Sequence, residues 1–168
     1  MRKNIEEIKE TLLGSEFKAF QKSLDDFDIH ECDEFGNNIL HYYIKESKDV
    51  SFDYKDVICA ILRNGLDIND KQSKGPFKRS ALHIAVFMKL TNIVDHLIEL
   101  GADVNSTDAN GNTIINTAVM WYRNQDSYLI ERLINSGADI FIKNNHGVSA
   151  YSLAQAINNF DVKLSLDN

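Results

Sequence analysis

The stretch Leu100-Gly101-Ala102-Asp103-Val104-Asn105-Ser106-Thr107-Asp108-Ala109-Asn110-Gly111-Asn112-Thr113 decides how this chain is read. Its opening recurs upstream as Asn64-Gly65-Leu66-Asp67-Ile68-Asn69 and downstream as Ser136-Gly137-Ala138-Asp139-Ile140-Phe141, with the glycines 36 residues apart each time. A second block recurs as Asn38-Ile39-Leu40-His41, Ser80-Ala81-Leu82-His83, Thr113-Ile114-Ile115-Asn116 and Ser149-Ala150-Tyr151-Ser152. Gly36, Gly111 and Gly147 stand two residues before three of these blocks. A fixed period of this size marks a chain built from copies of one supersecondary unit.

Each block has a physical task. Asn38, Ser80, Thr113 and Ser149 carry side chains that accept hydrogen bonds from the free N–H groups of a helix start. Gly65, Gly101 and Gly137 follow amphipathic stretches, where a left-handed residue ends a helix. Between Ser80 and Gly101 the residues Leu90, Ile93, Val94, Leu97 and Ile98 share one helical face. Asn92, Asp95, His96 and Glu99 are expected on the other. A unit therefore reads as cap, short helix, turn, longer helix, glycine stop and extended link.

These motifs resemble the ankyrin repeat, with its T-P-L-H block, two antiparallel helices, G-A-D-V-N and D-x-x-G. The resemblance implies an all-α ankyrin-repeat solenoid of about five helix-turn-helix units with degenerate N- and C-terminal caps. It covers nearly the whole chain and divides one domain, 1–168, into an N-terminal cap repeat 1–32, full repeats 33–72, 73–107 and 108–143, and a C-terminal cap repeat 144–168. The usual repeat has about 33 residues. The extra residues fall near Lys45–Lys55, Ser73–Phe77 and Arg123–Ser127, positions expected to be loops. The family proline is replaced by Ile39, Ala81, Ile114 and Ala150, and the single proline is Pro76.

The 168 residues suit one domain with a hydrophobic core. The longest clean apolar run, Val57–Leu62, is far short of a membrane span. Residues Met1–Glu7 contain no apolar signal region, and the chain is expected to be cytoplasmic. Eighteen basic against 25 acidic residues give a net charge of −7. That balance argues against nucleic acid as the main ligand and suits a basic protein partner. Cys32 and Cys59 are isolated from each other, so no disulfide framework is expected.

No motif for a nucleotide, a zinc protease or a serine nucleophile is present. We expect no catalytic residue, metal or cofactor. In the resembling family the histidine of the T-P-L-H block ties neighbouring turns together. His41 and His83 take that part here, and Asn116 stands in the same place in the next unit. His96 beside Asp95 reads as a solvated pair.

The resemblance implies that a protein partner binds at the finger tips and the exposed ends of the first helices. Carried over position by position, these are Glu34, Phe35 and Asn37, then Lys78 and Arg79, Asn110 and Asn112, and Asn145 and His146. The helix ends give Phe87 and Met88, then Met120, Trp121 and Tyr122. These five form an expected aromatic and methionine cluster, of the composition common at interface cores. Asp25, Asp26, Asp28, Glu31, Asp33 and Glu34 form an acidic strip, while Lys71, Lys74, Lys78 and Arg79 gather on the lengthened finger. The expected function is a monomeric, non-catalytic protein-binding module. Its sharpest form is an inhibitor or immunity-type protein that neutralises a toxin, with a basic toxin or enzyme domain as partner. The alternative is a regulatory decoy or scaffold that binds a host signalling or transcription factor.

Overall fold

The computed structural model describes residues 2–122 and 127–156. The chain falls into two compact units, Met1–Ala81 and Leu82–Asn168. Among the described residues the regular structure is helical, apart from isolated β-bridges.

The first unit holds α1 (Ile5–Leu13), α2 (Phe17–Asp25), α3 (Ile39–Glu46) and α4 (Tyr54–Arg63). α1 packs on α2 and α3, and α3 packs on α4. The cause is an apolar stripe on each helix: Ile5, Ile8 and Leu12; Phe20 and Leu24; Ile39, Leu40, Tyr43 and Ile44; Val57, Ile58 and Ile61, all buried. Each such side chain contributes roughly 1.5–3 kcal/mol by leaving water. Asn38 caps α3 as its sequence position predicts, accepting the His41 N–H at 2.9 Å. The residues added before α4 are part of the packing: Val50 is buried and the Phe52 ring lies 5.3 Å from that of Phe17. Asp53 then caps α4.

The second unit holds most of α5 (Ala81–Phe87), with α6 (Thr91–Glu99), α7 (Ile114–Met120), α8 (Tyr128–Asn135) and α9 (Ala150–Ala156). α7 packs on both α8 and α9. Leu82, Val86, Val94, Leu97, Ile114, Ile115, Ile130 and Leu133 form its core. Thr113 and Ser149 accept backbone N–H groups at their helix starts, as caps should. Gly65, Gly101 and Gly137 follow helix ends with φ of +97°, +89° and +89°, in line with the stop predicted for them.

One expectation is corrected here. His96 is buried rather than solvated, with Nδ1 3.7 Å from Glu99. Asp95 instead accepts from Arg132 Nε at 2.8 Å and from the Tyr128 hydroxyl. Residues 95 and 96 are adjacent on a helix and point some 100° apart, so one meets α8 while the other turns inward.

The links between helix pairs form fingers with a shared construction. Asp33 Oδ1 accepts the N–H groups of Phe35 and Asn37 at 3.0 and 2.8 Å. Asp108 does the same for Asn110 and Asn112, and Asn144 for His146 and Val148. In the second finger Gln72 takes this place, accepting from Arg79 N–H at 3.2 Å across a loop three residues longer. Gly36 and Gly111 turn two of these fingers at φ +81° and +76°. A β-carbon on Gly36 would lie 2.3 Å from the Lys74 amide nitrogen, and one on Gly111 2.7 Å from Asn145 Oδ1. Both positions therefore exclude a side chain twice over, by conformation and by contact with the next finger.

Candidate functional site

The finger tips are held in place by ties between successive repeats. In the first unit His41 Nε2 lies 3.0 Å from the Asp70 carbonyl. In the second, His83 Nε2 reaches the Asn112 carbonyl at 3.3 Å and Asn116 Nδ2 donates to the Val148 carbonyl at 3.4 Å. One position thus makes one bond in three repeats, and an amide serves as well as an imidazole. His41 Nδ1 faces the Asn38 N–H at 3.3 Å, which makes Nδ1 the acceptor and Nε2 the donor in this network. Burial pushes the His41 imidazole down to about 4.

Side-chain amides add a second tie. Gln72 Nε2 donates to Asn37 Oδ1 at 2.7 Å, and Asn144 Nδ2 donates to Asn112 Oδ1 at 2.7 Å. Asn37 also accepts from Lys45 Nζ at 2.8 Å and donates to Asp33. It is buried, so the expectation that Asn37 faces a partner is corrected: its amide is consumed in joining two fingers. Asn145 remains exposed while its N–H and Nδ2 bond the carbonyls of Asn110 and Ala109.

The acidic strip is also reorganised. Asp33 is buried and paired with the buried Lys9 at 3.0 Å, and the Lys9 ammonium lies 4.6 Å from the centre of the Tyr42 ring. Burial would lower the Lys9 ammonium, but hydrogen bonds and charges from Glu6 and Asp33 outweigh it and hold the group above its ordinary range. Burial would likewise raise the Asp33 carboxyl, yet bonds from Asn37 and Lys9 hold it below the usual value. Asp28 pairs with Arg2 at 2.8 Å, and Glu31 accepts the Ile5 N–H. Asp25, Asp26 and Glu34 remain at the surface. Sequence order alone put no cation inside the strip; the fold brings Arg2 and Lys9 to it.

In the second unit, Phe87 and Trp121 meet edge to face, with ring centroids 5.1 Å apart and planes at 87°. Trp121 is 44% exposed, Met120 46% and Phe87 37%, while Met88 is half-buried. Trp121 also borders a small crevice with Val86, Ala118 and Leu129. Tyr122 does not join this patch and is corrected: it is 5% exposed. The chain turns after α7, with Tyr122 N–H bonding the Val119 carbonyl, and residue 122 is buried beside Ala118, Leu129 and Ile130.

Met120 belongs to a second feature as well. It lines an open groove with Asn110, Asn112, Asn116, Asn144, His146, Val148 and Leu153. The groove gathers four of the residues named from sequence: Asn110, Asn112, Met120 and His146. Sequence reading missed Leu153 and Asn144 as its walls. Asn144 stands 36 residues after Asp108, and that period was the available signal.

In the first unit the fingers expose Glu34, Phe35 and Lys78, with Arg79 half-buried. Cys32 and Cys59 are not joined in a disulfide, and each is partly exposed. Ser127 is the one described residue of the segment added near 123–127, whose other positions lie outside the described residues. No helix among the described residues is long and apolar enough to cross a membrane.

Comparison with known proteins agrees with this construction. The family model for ankyrin repeats (3 copies) matches residues 3–108 and 49–144, well over half of the chain. The chain is 26% identical to Rabankyrin-5 of Mus musculus over 131 residues, 72% of this chain and 10% of that protein. It is 28% identical to an ankyrin repeat protein of Variola virus over 155 residues, 84% of this chain and 26% of that protein. It is 28% identical to a palmitoyltransferase of Saccharomyces cerevisiae over 127 residues, 75% of this chain and 16% of that protein. It therefore spans about a quarter or less of these relatives. The helix pairs and joined fingers form an all-α, solenoid-like repeat fold of the kind that serves as a protein–protein interaction module. By the extent of the match and the recurrence of its motifs, the chain belongs to the ankyrin-repeat family.

Proposed function

We propose that this chain is an inhibitor, of the immunity type, that binds a partner protein and covers its working surface. One observation carries the reading: Phe87, Trp121 and Met120 expose aromatic and thioether surface at the ends of α5 and α7. Such groups are costly to leave in water and are the usual anchors of a protein interface. Met120 connects the patch to the asparagine-lined groove, which supplies polar contacts beside an apolar anchor. Proposed contacts in this unit are Phe87, Met88, Asn110, Asn112, Met120, Trp121, Asn145 and His146. A basic toxin is the partner class favoured by the net charge of −7 and by the exposed Asp25, Asp26 and Glu34.

A second reading is a regulatory decoy or scaffold that binds a host signalling or transcription factor; it is raised because one similar ankyrin repeat protein comes from a virus, Variola. Capture from the native source, with the wild-type chain and the Phe87→Ala/Trp121→Ala variant side by side, tests both. A stoichiometric partner that is a toxic enzyme, is silenced by the chain and escapes the variant supports the inhibitor. A regulatory factor held in the same way supports the decoy, and a partner retained fully by the variant overturns the patch as the contact.

A further inference from the structure

The second finger of the first unit, residues 72–79, concentrates positive charge on a chain whose net charge is −7. Lys74 and Lys78 are exposed, and the Arg79 guanidinium stacks 4.5 Å from the centre of the Phe77 ring. Phe77 is 43% exposed on a loop added to the repeat, and Phe35 on the adjoining finger is 65% exposed. Neither ring belongs to the buried core of the unit.

The backbone beneath these groups is fixed. Ser73 N–H bonds the Gly36 carbonyl at 2.9 Å, Gln72 ties to Asn37, and the Gly36 α-carbon packs against Lys74. Lys78 sits at φ +47°, a left-handed conformation that a lysine adopts only at a cost. Cations carried on this tied backbone and interleaved with exposed rings present a definite chemical complement: carboxylates to pair with Lys74 and Lys78, and apolar side chains to cover Phe35 and Phe77. A polyphosphate would leave Phe35 and Phe77 in water and draws on a broad basic field that a chain of net charge −7 lacks, whereas a peptide with apolar side chains covers both rings.

We infer that the first two fingers of the first unit form a docking site for an acidic peptide segment of a partner protein, one that carries apolar side chains among its carboxylates. The site is separate from the aromatic patch of the second unit and does not depend on the inhibitor reading.

The test uses the full chain and fluorescence polarisation with four labelled probes. These are a short peptide alternating Glu with Leu and Phe, the same peptide with Ser for Leu and Phe, its Lys-for-Glu counterpart, and a single-stranded oligonucleotide of equal charge. The first probe binds saturably and best, and weakens on the order of tenfold as salt rises from about 0.05 to about 0.3 M. Lys74→Glu/Lys78→Glu weakens it by about tenfold or more, and Phe77→Ala by several-fold. Both variants alter exposed loop positions, and unchanged circular dichroism verifies their fold. Phe87→Ala/Trp121→Ala binds the probe as the wild type does, so failure of the patch and failure of this site give different results. Absence of saturable binding, equal binding of the Ser peptide or the oligonucleotide, or indifference to Lys74→Glu/Lys78→Glu overturns the inference.

Discussion

The buried tie at His41 makes this fold acid-sensitive in a way that a single substitution should relieve. The imidazole is 1% exposed, with Nε2 bonded to the Asp70 carbonyl and Nδ1 facing the Asn38 N–H. A proton on Nδ1 would set a donor against a donor and place a charge in a desolvated site. Burial accordingly pushes the group from 6.5 down to about 4. In the unfolded chain it titrates near its ordinary value, so the unfolded state binds more protons between these limits. Stability present above pH 6.5 is therefore lost as pH falls towards 4. The loss from this residue comes to about 2 kcal/mol at pH 5 and about 3 kcal/mol below pH 4. His41→Asn puts at this position the residue that already makes the equivalent bond at Asn116. Urea denaturation at pH 7 and pH 5 measures both proteins. The variant starts less stable at pH 7, because an imidazole is lost from the core, but it loses about 2 kcal/mol less between the two pH values. The other four histidines are common to both proteins, so whatever they contribute cancels in the comparison. An equal pH loss in the two would refute the argument.

Other perturbations test the remaining parts of the structure. Lys9→Met leaves Asp33 charged in a buried site and should cost about 3 kcal/mol at neutral pH, while adding Asp33→Asn, which copies Asn144, restores most of it in thermal unfolding. Gly36→Ala should cost about 2–3 kcal/mol and Gly147→Ala only about 1 kcal/mol. The first meets the Lys74 backbone while the second meets nothing within 4 Å, and equal losses in chemical denaturation would contradict the finger contact. Phe87→Ala/Trp121→Ala should lower stability by no more than about 2–3 kcal/mol because both rings are partly in water, yet weaken partner binding by tenfold or more in calorimetry. A larger stability loss would make the pair structural.

The sequence by itself determined the repeat, because its signals are local. A cap such as Asn38 or Thr113 acts within one turn of helix, and a glycine stop such as Gly101 needs only its own backbone angle. The role of position 41 was legible for the same reason: one residue type recurs at one spacing. The tertiary structure decided what depends on encounters between distant residues. Asn37 reads as a fingertip, yet Gln72 and Lys45 reach its amide and draw it inside. Tyr122 reads as the neighbour of an exposed tryptophan, but one turn of backbone sends it to the core. The acidic strip reads as bare charge until Lys9, 24 residues before Asp33, folds onto it. Spacing along a chain specifies which way a repeat turns. Which polar groups are consumed inside it, and which are left for a partner, is settled only when the neighbouring repeat arrives with its own donors and acceptors.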